Sequence, residues 1–280
     1  MSRAKTIITG HGPDPTLFSV INVQLSLFCL FFWNSVNFKF NMFGLALKTA
    51  LVLFLLSTYK SLPLAYPLRF YLYIFKHLIF KKRQYLKTKK NTYGFGEKKL
   101  DIFRAVAYHT YASPLEIDMY LHKSNSTYLV DLDIARTHFV CLIFQTLFLK
   151  YWQNETGEFR RKSLQNCPYV PVGTIQCAFK KEIKVFQQYS VVLNVFAWDH
   201  KWLYVMLKFE LPGGKLSAVA ITKYVFKKKG RITMKPRDFI AECGLYNEEA
   251  EKVNAENYKL VSTLESSEGL EAWASNMETR

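Results

Sequence analysis

The stretch from Tyr128 to Trp152 predicts one long helix with apolar side chains on nearly every face, and it limits the chain to few folds. A helix that is apolar all round has to be buried on most sides. Asp131, Asp133, Arg136 and His138 in its first half argue against a membrane span, because charges in the hydrocarbon are costly. We therefore expect a central helix wrapped by a sheet.

Strand-like runs on both sides of this helix complete the predicted domain. One run precedes the helix and four follow it, and alternating hydrophobicity is typical of half-buried strands. They are Leu100–Ala112, Val172–Ile183, Gln187–Asp199, Trp202–Leu211 and Lys215–Phe226. A short helix over Met234–Cys243 closes the pattern, and Gly244 ends it. The order predicts an α+β domain over residues 100–245, followed by an acidic, weakly helical tail over 246–280.

Two apolar runs precede the domain. Leu17–Trp33 and Phe43–Tyr59 are each at the short limit for a spanning helix, since about 20 residues cross the hydrocarbon. We expect Phe43–Tyr59 to be the membrane anchor. Residues 1–41 are an N-terminal extension with a candidate apolar helix at 17–33, and Met42 is an alternative start. The sequence therefore leaves open whether the chain has one spanning helix or two.

The remainder of the segment 42–99 predicts attachment to a membrane surface. Leu64–Phe80 is apolar but contains cations, which is typical of a helix lying in the interface. The basic run Lys76–Lys99 follows it, and the positive-inside rule places such a run on the cytosolic side. We expect an endoplasmic reticulum or other intracellular membrane location, lipid contact through Phe43–Tyr59 and Lys76–Lys99, and a domain facing the cytosol.

Charge and cysteine usage narrow the function classes. The net charge is +16, which suits an anionic membrane or a phosphate-bearing ligand. Nucleic acid is not expected, because the basic run holds only Tyr85 and Tyr93 for stacking and adjoins no recognisable reading module. The five scattered cysteines form no CxxC, which argues for a reducing compartment and against a disulfide framework or a zinc site.

A polar turn just before the central helix carries the candidate chemistry. Asp118, His122 and Asn125 crowd a short segment between the first strand and the helix. Free backbone N–H groups at a helix start can bind an anion or a developing oxyanion. The alternative left open is a solvated loop in which Ser124 or Asn125 is simply the N-cap.

This segment resembles the signature of the hot-dog-fold acyl thioesterase superfamily, in particular its membrane-anchored branch called thioesterase superfamily member 6. The matching positions are Asp118, Leu121, His122, Asn125, Tyr128, Leu129, Leu132, Asp133, Ala135 and Arg136. The departures are Glu116 for an Asp, Tyr120 for an Asn and Ser124 for an Asn. The resemblance implies a hot-dog fold, in which an antiparallel sheet curls round the helix.

The resemblance also implies roles for particular residues. Asp118 would be the catalytic base or nucleophile, and His122 and Asn125 would orient it or the substrate carbonyl. Backbone N–H groups near Ser124–Ser126 would form the oxyanion site, with Tyr128 also contacting substrate. The implied substrate is acyl-CoA or another acyl thioester, with no cofactor and no metal, in a homodimer or higher even oligomer.

Two functions from different classes remain. The first is a membrane-anchored acyl-CoA hydrolase. The second is a catalytically silent hot-dog protein that binds acyl chains or lipids, or serves as a membrane scaffold. A serine hydrolase is disfavoured because Gly-x-Ser-x-Gly does not occur. Asp133 and Arg136, three residues apart on the helix, predict an architectural ion pair and not a catalytic one.

Overall fold

The computed structural model describes residues 42–261, and the candidate helix 17–33 and the last part of the acidic tail lie outside the described residues. The N-terminal half holds α1 (Met42–Thr58), α2 (Ala65–Ile74, continued by a π-helical turn Phe75–Ile79), α3 (Lys82–Thr88), β1 (Val106–Tyr111), α4 (Asn125–Ile143) and α5 (Gln145–Trp152). The C-terminal half holds β2 (Val172–Phe179), β3 (Gln188–Trp198), β4 (Leu203–Leu211), β5 (Lys215–Tyr224), β6 (Phe226–Lys227), β7 (Thr233–Met234), α6 (Pro236–Glu242) and α7 (Glu248–Val261).

The main sheet is antiparallel and has the order β1-β3-β4-β5-β2. Alternate side chains of its central strands are fully buried, including Val191, Leu193, Leu207 and Phe209, and they join one core with α4. This burial follows from the period of two along a strand. The predicted central helix wrapped by a sheet is confirmed, and β1 and β2 are the edge strands.

The helix predicted over Tyr128–Trp152 is in fact two helices. α4 and α5 meet at Phe144, whose φ and ψ of −99° and 19° leave the helical region, and their axes differ by 73°. The Phe144 ring is buried edge-on against Phe226 and Phe239. The side-chain N–H of Gln145 donates to the carbonyl of His77 at 2.6 Å, which ties the bend to the π-helical turn that follows α2. An all-round apolar pattern cannot reveal such a bend, because both halves are buried.

The first predicted strand is also shorter than expected. Residues 101–103 form a 3₁₀ turn, and the strand begins at Val106. The buried Asp101 carboxylate accepts hydrogen bonds from the backbone N–H groups of Gly96, Glu97 and Lys98 at 2.9–3.1 Å. This local arrangement competes with the strand ladder.

Segments before residue 100 belong to the same hydrophobic core as the sheet. Tyr73, Leu78, Tyr85 and Phe95 are buried in that core, and α2 packs along α4. The interpretation of residues 42–99 as anchor, interfacial helix and linker stays a prediction. The structure adds that α2 and α3 are also packing elements of the domain.

Within residues 42–261 no single helix has the length and apolar character needed to cross a membrane. Two bent pairs meet the criteria by length and composition, Gly44–Ser61 with Ala65–Thr88 at 55° and Asn125–Ile143 with Gln145–Trp152 at 73°. The second pair is the buried core of the domain. In contrast, the side chains of α1 at Leu45, Leu47, Leu51, Leu53, Phe54 and Leu56 are exposed.

Two histidines form a buried hydrogen-bonded pair where α2 meets α4. Nε2 of His77 lies 2.8 Å from Nδ1 of His138, and Nδ1 of His77 lies 2.7 Å from the Tyr93 hydroxyl. Burial, together with neighbouring cations and the partner ring, lowers the pKa of His77 to about 2. Burial and Lys76 lower the pKa of His138 to about 3. Both rings are therefore neutral at physiological pH.

The pair predicts a loss of stability in mild acid. Between about pH 6.5 and 3 the unfolded chain binds protons that the folded pair excludes, so the free energy of unfolding falls as pH falls. Each histidine should cost about 1.4 kcal/mol at pH 5.5 relative to neutral pH. Denaturant unfolding of the full chain at several pH values measures this slope.

The double variant His77→Gln, His138→Gln should flatten that slope, whatever its own stability at neutral pH. His200→Gln is the matched control, because His200 is largely exposed on the β3–β4 turn. An unchanged slope in the double variant would contradict the assignment.

Candidate active site

The motif Glu116–Lys123 folds into a small hairpin that leads directly into α4. Ile117 pairs with Lys123, and the N–H of Asp118 donates to the carbonyl of His122 at 3.0 Å. Leu121, at the turn, has a φ of 62°, in the left-handed region that a leucine rarely adopts. Such strain is held only where the surroundings enforce it, and it often marks a functional loop.

Asp118 and His122 face each other across this hairpin. Oδ2 of Asp118 lies 3.6 Å from Nδ1 of His122, and Oδ1 accepts the N–H of Tyr120 at 2.9 Å. The Asp118 side chain is 26% exposed, so water or a substrate can reach it. The His122 ring stacks on Tyr120, and its Nε2 lies 3.9 Å from Glu182. The arrangement offers a carboxylate oriented by a backbone N–H, with an imidazole beside it.

Backbone donors at the start of α4 form the second part of the candidate site. The N–H of Ser124 donates to the carbonyl of Glu116 at 2.8 Å and is therefore engaged. In the described part of the chain, the N–H groups of Asn125 and Ser126 have no hydrogen-bond partner. The positive end of the helix dipole adds to their affinity for negative charge. Of the backbone groups predicted near Ser124–Ser126, the N–H groups of Asn125 and Ser126 therefore remain as candidate oxyanion donors.

Three further residues predicted for the site, Ser124, Asn125 and Tyr128, have side chains that are not hydrogen-bonded to Asp118 or His122. Ser124 occupies the N-cap position, but its hydroxyl pairs with that of Ser126 at 3.1 Å and caps no N–H. The Asn125 side chain is exposed and forms no hydrogen bond within residues 42–261. Tyr128 is buried against Phe179 and Phe209, with its hydroxyl 3.3 Å from that of Ser217. These residues are not joined to Asp118 by a hydrogen bond.

Asp133 and Arg136 form the predicted ion pair on α4, which is confirmed. The Tyr66 hydroxyl donates to the same carboxylate, and Arg136 donates to the carbonyl of Val170 at 3.1 Å. The pair ties α2 and the segment before β2 to the central helix. Its role is architectural.

A buried ionic cluster lies behind the hairpin, and the sequence did not predict it. Asp131 of α4 is fully buried and contacts three cations, Lys60 at 3.1 Å, Arg69 at 3.0 Å and Lys123 at 2.8 Å. Glu116 contacts Lys60 at 3.0 Å and Lys123 at 2.9 Å. The cluster therefore joins the end of α1, helix α2, the hairpin and the central helix.

The protonation states in the cluster follow from these contacts. Burial alone would raise the pKa of Asp131, but Lys60, Lys123 and Arg69 outweigh it and hold the pKa below its ordinary value. Burial lowers the pKa of Lys60, against the pull of the two carboxylates. Burial and the Asp131 carboxylate raise the pKa of Tyr189 well above its ordinary value, so its hydroxyl donates to Asp131. The cluster thus brings three basic side chains together with two carboxyl groups and one tyrosine hydroxyl.

The sequence carried one signal for this cluster. A carboxylate such as Asp131 in a helix that is otherwise buried needs charged partners. Nothing local identifies Lys60 or Arg69 as those partners, because they lie 71 and 62 residues away along the chain. Glu116 and Lys123 are buried at the base of the hairpin, whereas Asp118 and His122, nearer its tip, remain accessible.

Two cysteines of the described domain, Cys141 and Cys167, are poorly suited to act as nucleophiles. Burial raises the pKa of Cys141 and of Cys167 to about 12, so both thiols stay protonated at neutral pH. A protonated thiol is a poor nucleophile.

The fold and the hairpin define a hot-dog protein with a carboxylate at the entrance to its central helix. The sequence model of the thioesterase-like superfamily matches residues 112–243. A probable thioesterase of Saccharomyces cerevisiae is 43% identical over 216 residues, which are 75% of this chain and 85% of that protein. The chain therefore belongs to the thioesterase-like superfamily.

Other fungal relatives agree with this membership. The thioesterase lcsJ of Purpureocillium lilacinum is 36% identical over 154 residues, 51% of this chain and 49% of that protein. The thioesterase poxG of Penicillium oxalicum is 31% identical over 229 residues, 72% of each chain. The similarity to poxG extends well beyond the 132 residues that the superfamily model matches.

Asp131→Asn should destabilise the protein strongly. It removes the carboxylate that Lys60, Arg69 and Lys123 all contact, and breaking a buried ion pair costs about 3–5 kcal/mol. Asp133→Asn is the matched control on the same helix, because its partly exposed pair is worth only about 0–1 kcal/mol. Denaturant unfolding measures both, and equal effects would show that the cluster does not hold the fold.

Proposed function

We propose that the protein is an acyl-thioester hydrolase that uses Asp118 as its base or nucleophile and acts on acyl-CoA or a related thioester. One observation carries the proposal: an accessible carboxylate lies on a strained hairpin that leads into a helix start with two free N–H groups. Relatives at 31–43% identity are named thioesterases, which supports this reaction class.

In this scheme Asp118 takes a proton from water, and the water oxygen attacks the thioester carbonyl carbon. The carbonyl oxygen gains negative charge, and the N–H groups of Asn125 and Ser126 stabilise it together with the helix dipole. The carbon–sulfur bond then breaks, the sulfur leaves with a proton, and a carboxylic acid remains. His122 orients the carboxylate at 3.6 Å and holds no proton in transit.

Asp118→Asn should remove most turnover and leave the fold intact. The substitution keeps size and the bond from the N–H of Tyr120 but deletes the charge, and losing a general base costs about 10²–10⁴ in rate. His122→Ala should cost less. Steady-state hydrolysis of an acyl-CoA series by detergent-purified full chain measures both.

Asp133→Asn is the control, because its carboxylate is paired with Arg136 away from the hairpin. Suppose that hydrolysis were detected but Asp118→Asn kept kcat/KM within a factor of about three, roughly 0.7 kcal/mol. The assignment of Asp118 would then be wrong.

A catalytically silent acyl-chain or lipid binder is the second candidate. It is favoured by the three departures from the family signature, Glu116, Tyr120 and Ser124. Glu116 lies in the buried cluster, and the Ser124 hydroxyl pairs only with that of Ser126 among the described residues. Both candidates would bind an acyl chain, but only the hydrolase requires Asp118. The kinetic comparison above separates them.

We also propose that α1 anchors the chain in an intracellular membrane, with the domain on the cytosolic side. Its exposed apolar side chains and the basic run Lys76–Lys99 support this arrangement. The 17 residues of α1 rise about 25 Å, slightly less than a hydrocarbon core of about 30 Å. The homodimer or higher even oligomer stays a prediction.

Replacing the exposed apolar residues Leu47, Leu51 and Phe54 of α1 by Gln should release the chain from membranes. Lys60 is kept, because deleting it would also disrupt the buried cluster. Carbonate extraction measures retention in the pellet, and Leu68→Gln with Phe75→Gln on the exposed side of the following helical segments is the control. Full retention of the α1 variant would contradict a single anchor and indicate residues 17–33 or 64–80 instead.

A further inference from the structure

We propose that the tip of the hairpin and the neighbouring β2–β3 loop form one lipid-contacting surface, which rests on an anionic bilayer beside the candidate active site. This rests on the membrane anchoring in the proposed function, and it adds which face of the domain meets the lipid. The surface consists of the apolar residues Leu115, Met119, Tyr120, Leu121, Val185 and Phe186.

The hairpin tip exposes three apolar side chains to solvent. Met119, Tyr120 and Leu121 are 84%, 72% and 78% exposed, although they flank the partly sheltered Asp118 and His122. Contiguous exposed apolar residues on a soluble face mark an interaction site. Their position at the tip of a protruding turn is suited to shallow insertion.

The β2–β3 loop extends this surface. Phe186 is exposed and, like Leu121, lies in the left-handed region, with a φ of 61°. The two loops are joined by hydrogen bonds, because the N–H of Lys123 donates to the carbonyl of Ile183 and His122 pairs with Lys184. The N–H of Phe186 donates to the carbonyl of Ala112, just before Leu115. The six apolar residues therefore lie on joined loops.

The charges around this surface favour an anionic bilayer as its occupant. Lys180, Lys181 and Lys184 are exposed on the same loop, with Glu182 as the only acid among residues 180–184. Lysines beside exposed apolar residues suit lipid headgroups above an acyl region.

The surface is also continuous with the proposed anchor. The Tyr111 hydroxyl donates to the carbonyl of Ser57 in the last turn of α1, and Ser61 bonds Glu116 at the base of the hairpin. Segment 114–116 packs against α1. A bilayer that holds α1 is thus close to the hairpin, and an acyl substrate can reach Asp118 from the lipid side.

Depth-dependent fluorescence quenching tests this inference without requiring turnover. A fluorescent unnatural amino acid replaces Met119 in one full-length variant and His200 in the other. His200 is equally exposed but lies on the turn at the far end of β3, about 33 Å along that strand from the β2–β3 loop. Both chains are placed in nanodiscs of phosphatidylcholine and phosphatidylserine whose acyl chains are brominated.

The label at position 119 should lose at least about half of its emission, because apolar interfacial groups lie about 5–10 Å deep, whereas the label at 200 should be nearly unaffected. Lys180→Glu with Lys181→Glu should bring quenching at 119 toward the value at 200. Equal weak quenching at both positions overturns the inference. A second result also overturns it: a label at position 119 whose emission is quenched neither by iodide in water nor by brominated lipid. A second copy of the chain would then cover this position.

Failure of the anchor itself gives a different result. If the full chain does not remain with the nanodiscs during their separation, the proposed anchor is wrong, and the lipid contact that rests on it is overturned as well. Chains that float but leave position 119 unquenched overturn only the contact surface.

Discussion

The fully buried carboxylate of Asp131 is the charge on which the arrangement of this protein depends. A buried ion is tolerated only when partners replace its lost hydration. Here the partners come from separate parts of the chain, with Lys60 following α1, Arg69 on α2 and Lys123 on the hairpin. Because all three basic side chains meet at the one carboxylate of Asp131, the cluster fixes the N-terminal segments and the hairpin relative to the central helix.

The same cluster explains how the hairpin can hold a strained turn. Glu116 and Lys123, on the two sides of its base, are bonded to each other inside the protein. Nearer the tip, Asp118 and His122 face each other across the hairpin and remain accessible. The ion pair at the base closes the hairpin in which Leu121 adopts its left-handed conformation. The buried charges therefore hold the loop in place, and the accessible charges are left for chemistry.

Local periodicity predicted much of the fold. The strands β3, β4 and β5 lie within a residue or two of their predicted ends, because alternating burial leaves a direct trace in the sequence. The bend at Phe144 left no such trace, since both halves of the helix are buried. The motif directed attention to Asp118 and His122, which lie 3.6 Å apart on the hairpin, and their catalytic role stays a proposal. It could not predict that Lys60 contacts Asp131 across 71 residues, because no local pattern encodes a long-range ion pair.

Lys60 also gives α1 a mechanical property. The helix ends at Thr58, and two residues later the chain is clamped by Asp131 and Glu116 in the interior of the domain. A helix held at one end in this way has a restricted orientation relative to the domain. Only Tyr59 separates the last residue of α1 from Lys60. A change in the tilt of α1 would therefore displace Lys60 and, through Glu116, the base of the hairpin.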